Sequence, residues 1–514
     1  MKKTLAFLLC LLMVVSILTA CNSTPDTEPQ DSTELTESDT QPTIPPEQAP
    51  PPEQVIEGLA PDAVIMEIGT ATKQVLLTDL DWTDIQNAFT SVGYADVNAT
   101  LLEDTKLETR VLYGKDVMVT LQKAQERTYA ILEPYNESIL SVLTPNEQTG
   151  TGEATLAQIG IARIDEDDNP LNGMSYMFKL SDGSAVVIDG GFNNKKNRQN
   201  LMNVLEKYDI AKTEDGKYCI TAWIFSHGHK DHRAAFTGIG KNFGDQISLK
   251  YTMFSFPPSP GTLTASTFDS VNFENKMYEY FPGVQHIVPH AGLAYHFGNL
   301  TVEVLYAPEM MYAPDQTIGY YNDTSLIMIA DCAGARTLFM GDAGEAAATL
   351  SWNNNEKAAF KADMLQITHH GFNTAESQHK WKNIKQIYVA TGAELALLPI
   401  TDRLQGDERN GRYTVIVGHG GANYQMSMFV NKRDKPTSAS VTQDLYNEFV
   451  AQVAEGTNTY PTLFGYDGIN KIVSDKGIVT YIAGNETEPM ITLFSLSSQG
   501  VSMIDNQTLA EWLD

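Results

Sequence analysis

The chain has 514 residues, 42% of them hydrophobic, and a formal net charge of −29 at pH 7. This length exceeds that of one ordinary domain, and the composition is typical of a globular protein. Because phosphate binding draws most of its affinity from lysine and arginine, so acidic a chain is not expected to wrap a long nucleic acid. We therefore expect no stable nucleic-acid partner.

The N-terminus has the pattern of an export signal. Two lysines precede an apolar run over residues 5–18, and the small residues Thr19 and Ala20 lead to Cys21. A basic start, an apolar centre and small residues before a cleavage position are typical of secretory signals. With a cysteine at that position, the pattern resembles a bacterial lipoprotein signal, which implies cleavage before Cys21 and a lipid on its sulfur. An uncleaved membrane anchor is the alternative, but the run is short for a spanning helix.

The segments after the signal differ in composition. We predict that residues 1–21 form the signal peptide with the lipidated Cys21, and that the lipid anchors the protein to the cell membrane outside the cytoplasm. Residues 22–58 are rich in Pro, Thr and Glu and contain no Lys or Arg. Such a stretch cannot bury enough apolar surface to offset its ordering entropy, so it is predicted to be a disordered linker.

Residues 59–148 are predicted to form a small α+β domain. The runs VIMEIG and QVLLTDL are typical of strands, and Asp81 is suited to cap a helix that carries Ile85 and Phe89 on one face. The segment contains no histidine and no group of candidate site residues, so its role is left open.

From residue 155 to residue 514 the pattern changes to strands that alternate with helices, which is typical of an α/β domain. Predicted strands end at Asp189, at the motif over residues 226–232, at Asp342 and at His369. A further strand is predicted over QIYVATG. Open α/β sheets bind ligands where strands end, so we expect these residues to lie together.

The motif SHGHKDH at residues 226–232 carries the strongest chemical signal. Residues two apart in an extended stretch point the same way, so His227 and His229 are suited to hold one cation, while Asp231 and His232 face a second position. Imidazole and carboxylate are ligands of zinc, and they also suit iron or manganese. A chance surface cluster is the alternative, but it does not explain why the motif directly follows a buried strand.

This His-x-His-x-Asp-His arrangement resembles the metallo-β-lactamase superfamily over about residues 155–400, and more loosely beyond. The resemblance implies an αββα sandwich, preceded here by the small α+β domain and the disordered tether. It also implies that Asp189 supports the metal loop, that Asp342 bridges two metals, and that His369–His370–Gly371 supplies the last ligand.

Three short runs narrow the resemblance. Asn322–Asp323–Thr324–Ser325–Leu326, then FMGD, then ITHHG resemble the hydrolase domain of ComEC-type competence proteins. Asn322 is included among the supporting residues on this ground. The resemblance implies two divalent metal ions, zinc in the first place with manganese or iron as alternatives, and Asp231 as both ligand and orienting catalytic group.

Several histidines have alternative interpretations. The superfamily places an isolated histidine between the first motif and the bridging aspartate, and we interpret the candidates His286, His290 and His296 as structural. His369 and His370 cannot face one metal from adjacent extended positions, and we favour His369 as the ligand. His379 and His419 are interpreted as ordinary surface or loop residues.

The sequence predicts a hydrolase that acts on phosphodiesters or related esters outside the cytoplasm, on a small-molecule or polymer substrate that it does not identify. The alternatives are a lactam, lactone or thioester hydrolase of the same fold, and a non-catalytic metal- or ligand-binding lipoprotein. Five basic residues near the motifs either hold a phosphate or form solvated helix faces: Lys195, Lys196, Arg198, Lys230 and Arg233. Cys219 and Cys332 are expected to be buried free thiols.

Overall fold

The structure, a computed structural model, describes most of the chain after residue 43. The described ranges are 44–125, 127–161, 173–257, 270–313, 318–371, 382–399, 414–417, 428–429, 462–463, 471–473, 479–485 and 488–514. The predicted signal, Cys21, most of the predicted linker, His379 and His419 lie outside these ranges. Within them, no helix combines the length and the apolar character that crossing a membrane requires.

An antiparallel sheet of six strands comes first in the chain, with the spatial order β1-β2-β6-β5-β4-β3. We refer to it as the first sheet. Its strands are β1 Ile65–Glu67, β2 Lys73–Leu76, β3 Ala95–Asp96, β4 Glu108–Gly114, β5 Val117–Lys123 and β6 Thr128–Pro134.

Three helices accompany the first sheet: α1 Pro52–Leu59, α2 Trp82–Ser91 and α3 Glu137–Leu143. The Asp81 side chain caps α2, as predicted, by accepting hydrogen bonds from the backbone N–H groups of Thr83 and Asp84. The predicted linker boundary at residue 58 is wrong, because α1 is helical and buries Val55 and Ile56 against the first sheet. A proline in the first helical turn favours this start.

A second sheet of nine strands runs in the order β12-β11-β10-β9-β8-β7-β25-β24, with β26 paired to β25. Strand β9 pairs with β10, β10 with β11 and β11 with β12, all in parallel. Strands β8 and β9 form an antiparallel hairpin. The strands are β7 Ala154–Ile159, β8 Ser175–Lys179, β9 Ala185–Asp189, β10 Tyr218–Ile224, β11 Ile247–Met253, β12 Gln285–Ile287, β24 Gly484–Asn485, β25 Glu488–Ser497 and β26 Gly500–Thr508.

A third sheet of eight strands runs in the order β13-β14-β15-β16-β17-β18-β23-β22. Here β15 and β16 form an antiparallel hairpin, and β16, β17, β18 and β23 are parallel. The strands are β13 Ala294–Phe297, β14 Leu300–Tyr306, β15 Ile327–Cys332, β16 Ala335–Phe339, β17 Met364–Gln366, β18 Leu395–Leu398, β22 Lys471–Val473 and β23 Val479–Ile482. A small separate sheet contains β19 Thr414–Val417, β20 Met428–Phe429 and β21 Thr462–Leu463.

The second and third sheets face each other and helices cover their outer faces, so the architecture is an αββα sandwich. Alternation along β9 shows the layering: Val186 and Ile188 belong to the core between the sheets, whereas Val187 belongs to the core under the outer helices. The remaining helices are α4 Lys195–Lys207, α5 Lys230–Phe243, α6 Ser270–Tyr280, α7 Glu345–Asn354, α8 Lys382–Thr391 and α9 Leu509–Leu513.

One predicted strand is a helix. The run QIYVATG forms the second half of α8, and the next strand is β18. Ile384, Ile387, Tyr388 and Thr391 are all buried, which is the i, i+3, i+4, i+7 spacing of one helix face. The β-branched and aromatic residues of the run concealed this spacing. Cys219 and Cys332 are free, as predicted, but only Cys332 is buried, and Cys219 is partly exposed.

Buried charges join the first sheet to the sandwich. His290 lies between two carboxylates, with Nε2 2.9 Å from Glu133 Oε1 on β6 and Nδ1 3.2 Å from Glu309 Oε2. The Gln74 side chain donates a 3.0 Å hydrogen bond to the Glu309 carbonyl. Burial alone would lower the pKa of His290, but the two carboxylates outweigh it and raise the pKa to about 10. His290 is therefore structural, as predicted.

The His290 contacts predict a pH-dependent stability. A pKa raised above its unfolded value contributes stability that is complete below about pH 6.5 and is lost as pH rises toward 10. His290→Gln should destabilise the protein by about 3–5 kcal/mol near pH 6.5, because it leaves buried carboxylates without a cation. Urea unfolding across this pH range should show the gap to the wild type closing as pH rises.

The matched control is His296→Gln, because His296 is a buried histidine that contacts the hydroxyls of Thr100 and Thr301 and no carboxylate. Burial lowers its pKa, so the cost of this substitution should not vary between pH 6.5 and 10. A pH-independent gap for His290→Gln would contradict the assignment.

Candidate metal centre

The first segment of the centre is the loop that follows β10, and Asp189 at the end of the neighbouring strand β9 holds it. The Asp189 carboxylate accepts hydrogen bonds of 2.8 Å from the Ser226 backbone N–H, from the Ser226 hydroxyl and from His232 Nδ1. Asp189 is fully buried and has a positive φ of 56°. It therefore anchors the loop without facing its metal-binding side, which agrees with the supporting role that the resemblance implies.

The second segment is Asp342, which follows β16. Gly341 before it has a φ of 53°, and a Cβ atom there would lie 2.7 Å from Ser226 Cβ. Because only glycine allows both the conformation and this close approach, the chain brings Asp342 directly against the first loop. The Ser325 hydroxyl accepts a 3.1 Å hydrogen bond from the Asp342 N–H.

Asn322 and Asp323 support this second segment through hydrogen bonds. The Asp323 carboxylate accepts a 3.3 Å hydrogen bond from the Ala347 N–H at the start of α7. Burial raises the pKa of Asp323 to about 6, although the backbone N–H groups that donate to its carboxylate lower it. Asn322 is buried and donates a 3.1 Å hydrogen bond to the Tyr320 hydroxyl. Both side chains support the centre from outside its donor groups.

The third segment is His369–His370, after β17. Both residues have left-handed backbone conformations, with φ of 51° and 52°, and not the extended conformation that we predicted. Two such residues in succession are strained, and strain of this kind concentrates at functional sites. The turn directs both rings toward Asp342: His370 Nε2 lies 3.4 Å from Asp342 Oδ1, and His369 Nε2 lies 4.0 Å from Asp342 Oδ2.

The three segments converge into two groups of donors that share Asp342. Within each group the ligand-type atoms all lie within 4.8 Å of one another. The first group is His227, His229 and Asp342, and the second group is Asp231, His232, Asp342 and His370. The spacing of the motif predicted the division of His227 and His229 from Asp231 and His232, and the resemblance implied that Asp342 is shared.

Hydrogen bonds on the outer side of the rings set which nitrogen faces inward. His232 Nδ1 donates to Asp189, and His370 Nδ1 donates to the Pro399 carbonyl at 2.7 Å. In the neutral rings both Nε2 atoms therefore carry lone pairs, and these atoms lie only 3.2 Å apart. Lone pairs at this distance repel each other unless a cation lies between them, and outer hydrogen bonds of this kind are typical of metal-binding histidines.

The pKa shifts agree that the second group requires positive charge. Burial opposes protonation of His232 and His370, but the surrounding carboxylates raise the pKa of His232 well above its usual value and that of His370 to about 9. Burial would raise the pKa of Asp342, yet His232 and His370 hold it well below the usual range. A metal ion satisfies the same requirement as the protons that these shifts describe.

The donor set fits divalent metal ions. Asp342 Oδ1 is buried and accepts no hydrogen bond within the described residues, although a carboxylate oxygen in the interior is costly without a partner. Imidazole nitrogens and carboxylate oxygens suit zinc, and the two groups would hold one ion each with Asp342 between them.

The geometry favours His370 over His369, the ligand that we preferred from the sequence. His370 belongs to the second donor group and His369 to neither group. The reason is the left-handed turn together with the Pro399 carbonyl, which orients the His370 ring. Burial lowers the pKa of His369 to about 4, so this ring is neutral, and its side chain remains 21% exposed on the accessible side of the centre.

The other histidines between the two motifs lie elsewhere. His290 is paired with Glu133 and Glu309, and His296 contacts Thr100 and Thr301. His286 donates a 3.1 Å hydrogen bond to the Phe254 carbonyl and stacks on its ring. Each is a satisfied structural residue, so the first donor group has three protein ligands within the part of the chain that the structure describes.

The basic candidates differ in their positions. Lys195, Lys196 and Lys230 are exposed, which is the solvated helix face that we considered. Arg233 is half-buried and contacts the metal loop.

Sequence reasoning missed Tyr321, whose ring lies 4.8 Å from the ring of His229. Its place directly before Asn322, the start of the first of the three matched runs, was the signal that could have found it.

Facing sheets, outer helices and a histidine–aspartate cluster at strand ends make up the metallo-β-lactamase fold. No protein-family model matches the chain, and no curated protein matches it. Among solved structures, it is similar to the metallo-β-lactamase fold protein YhfI from Bacillus subtilis, with 15% identity, 48% of this chain and 86% of that chain covered, and a TM-score of 0.31.

Two other solved structures are also similar to the chain. Zn(2+)-bound PqqB from Methylobacterium extorquens has 13% identity, with 41% of this chain and 72% of that chain covered and a TM-score of 0.28. MEM-A1, a subclass B3 metallo-β-lactamase from a soil metagenome library, has 15% identity, 42% and 81% coverage, and a TM-score of 0.24. At this level the similarity concerns the fold alone.

Adjacent histidines should differ in their effect on metal content. His370→Ala removes a member of the second donor group, so metal analysis after dialysis should show a loss of about one zinc ion per chain. His369→Ala is the matched control and should keep the wild-type content. Loss of metal from His369→Ala and not from His370→Ala would show that His369 is the ligand.

Proposed function

We propose that the chain is a metal-dependent hydrolase of the metallo-β-lactamase superfamily, that it uses two divalent ions, and that it cleaves phosphodiesters or related esters. The observation that carries the proposal is the convergence of histidine and aspartate donors from three separate segments around Asp342. Zinc is the first candidate for the metal, with manganese or iron as alternatives.

The chain's own residues at the centre have separate roles. The two donor groups would hold the metal, which when bound would supply a water of lowered pKa as the nucleophile. Asp342 belongs to both donor groups, so its carboxylate is placed to hold two cations. Asp231 lies on the rim of the second group, with Oδ2 3.4 Å from His370 Nε2, and is placed to orient the attacking oxygen. The neutral His369 ring is placed to donate a hydrogen bond to the substrate.

Two features favour a phosphodiester. The first donor group offers three protein ligands within the described residues, which leaves room for an oxygen of the substrate. In hydrolysis the water oxygen bonds to phosphorus, the bond to the leaving alcohol breaks, and the alcohol oxygen takes a proton. This reaction requires charge stabilisation and no protein nucleophile. Ser226 contacts His227 and His232, but its hydroxyl donates a hydrogen bond to the buried Asp189 carboxylate, so it supports the loop and is not the attacking group.

Asp342→Ala tests the proposal. The substitution should lower hydrolysis of bis-p-nitrophenyl phosphate by more than about 100-fold and reduce zinc content, because it removes a donor from both groups. Circular dichroism should show a retained fold. The control is Asp245→Ala, an exposed aspartate that follows α5.

Metal analysis and hydrolysis assays of the wild-type protein distinguish the proposed function from its two alternatives. Cleavage of nitrocefin without cleavage of the phosphodiester would favour the lactam hydrolase. Absence of bound metal together with absence of turnover would favour a non-catalytic binding lipoprotein. Unchanged activity of Asp342→Ala would refute the bridging role.

We also propose that the enzyme is an exported lipoprotein, on the strength of the signal pattern that ends at Cys21. Lipid on this cysteine would hold the protein at the outer surface of the cell membrane. Cys21→Ser should therefore release the protein from the membrane fraction, or leave it with an uncleaved signal, and mass spectrometry of the N-terminus should show the missing diacylglyceryl group. Wild-type protein without lipid at Cys21 would refute this assignment.

A further inference from the structure

We infer that Arg233 binds the non-bridging oxygens of the substrate, and that the chain therefore selects anionic phosphodiesters over neutral esters. The inference rests on the proposed function and adds the charge of the substrate to it. Arg233 directly follows His232 in the first turn of α5, so its position is tied to that of a metal-binding residue.

A hydrogen bond holds the guanidinium against the metal loop. Arg233 Nε donates to the Gly228 carbonyl at 2.7 Å. Gly228 lies between His227 and His229, the two histidines of the first donor group. The cation therefore sits beside the group that has three protein ligands, which is where the substrate is expected to enter.

An aromatic ring also limits the movement of this guanidinium. Arg233 Cζ lies 5.4 Å from the centre of the Phe273 ring. Tyr321, whose ring lies 4.8 Å from that of His229, interacts electrostatically with Arg233. A guanidinium held by a hydrogen bond and an aromatic ring is pre-organised, so little conformational freedom remains to be lost when it binds an anion.

The other basic candidates lack this placement. Lys195, Lys196 and Lys230 are exposed, and Arg198 is hydrogen-bonded to the Asn193 side chain. Of the five candidates, Arg233 is the one that the structure places against the loop of the first donor group.

The charge of the transition state explains why such a cation is useful. A hydroxide-like nucleophile that adds to a phosphodiester monoanion produces a pentacoordinate phosphorus, which has a second negative charge on its non-bridging oxygens. A fixed guanidinium stabilises this state more than the ground state, and its paired N–H groups match two such oxygens. A neutral ester develops only one negative charge and gains less.

The test uses the zinc-loaded full-length protein with inorganic phosphate as the probe. Arg233→Gln should weaken phosphate binding, measured by calorimetry, about 10- to 100-fold, as expected for the loss of charged hydrogen bonds. The value of kcat/KM for bis-p-nitrophenyl phosphate should fall by a similar factor, and that for p-nitrophenyl acetate should fall less. Arg233→Lys should recover part of the phosphate affinity because the charge is retained.

The matched control is Arg110→Gln on β4, where the guanidinium pairs with Asp96 in the first sheet. It removes the same charge away from the metal loop and should leave phosphate binding unchanged. Zinc content should stay at the wild-type level in all three variants.

Three outcomes overturn the inference. The first is an unchanged phosphate affinity in Arg233→Gln. The second is a loss of zinc in both the Gln and Lys variants with normal phosphate affinity once zinc is replenished, which would mean that Arg233 acts only through Gly228. The third is a zinc-loaded wild type that binds no phosphate. A wild type that binds phosphate through Arg233 but cleaves no diester would instead refute the proposed function and support the inference.

Discussion

The centre depends on one carboxylate, Asp342, held in the protein interior among imidazole rings. It is 2% exposed, and nitrogens of His227, His232, His369 and His370 all lie within 4.0 Å of its oxygens. A buried carboxylate is costly without compensating positive charge, and neutral imidazoles carry no net charge. The stability of the arrangement and its affinity for cations therefore have the same origin.

Backbone strain surrounds this carboxylate, and the sandwich is what maintains it. Asp189, Gly341, His369 and His370 all have positive φ values, and each lies just beyond or at the end of a strand. Such conformations persist only where the surrounding structure determines them, and here buried strands on both sides fix the loop ends. The rigid sheets thus position side chains that loops alone would leave mobile.

Local patterns in the sequence, apolar runs that end at a ligand-type residue, allowed an α/β domain and the metal motif to be predicted. The sandwich and the shared carboxylate were implied by the resemblance to a known superfamily. The sequence did not allow the choice between His369 and His370, which depends on a left-handed turn and on the carbonyl of Pro399, 29 residues further along the chain. The pairing of His290 with Glu133, 157 residues apart, was equally invisible. Helix α8 was missed because its β-branched and aromatic residues are typical of strands.

The two large sheets follow the same plan, although no internal repeat is visible in the sequence. Each contains an antiparallel hairpin, β8–β9 or β15–β16, after which the chain continues into parallel strands. In each half the hairpin contributes an aspartate and the next strand contributes histidines. An ion held between the two donor groups would have ligands from both halves, so its binding would also stabilise the packing of one layer of the sandwich against the other.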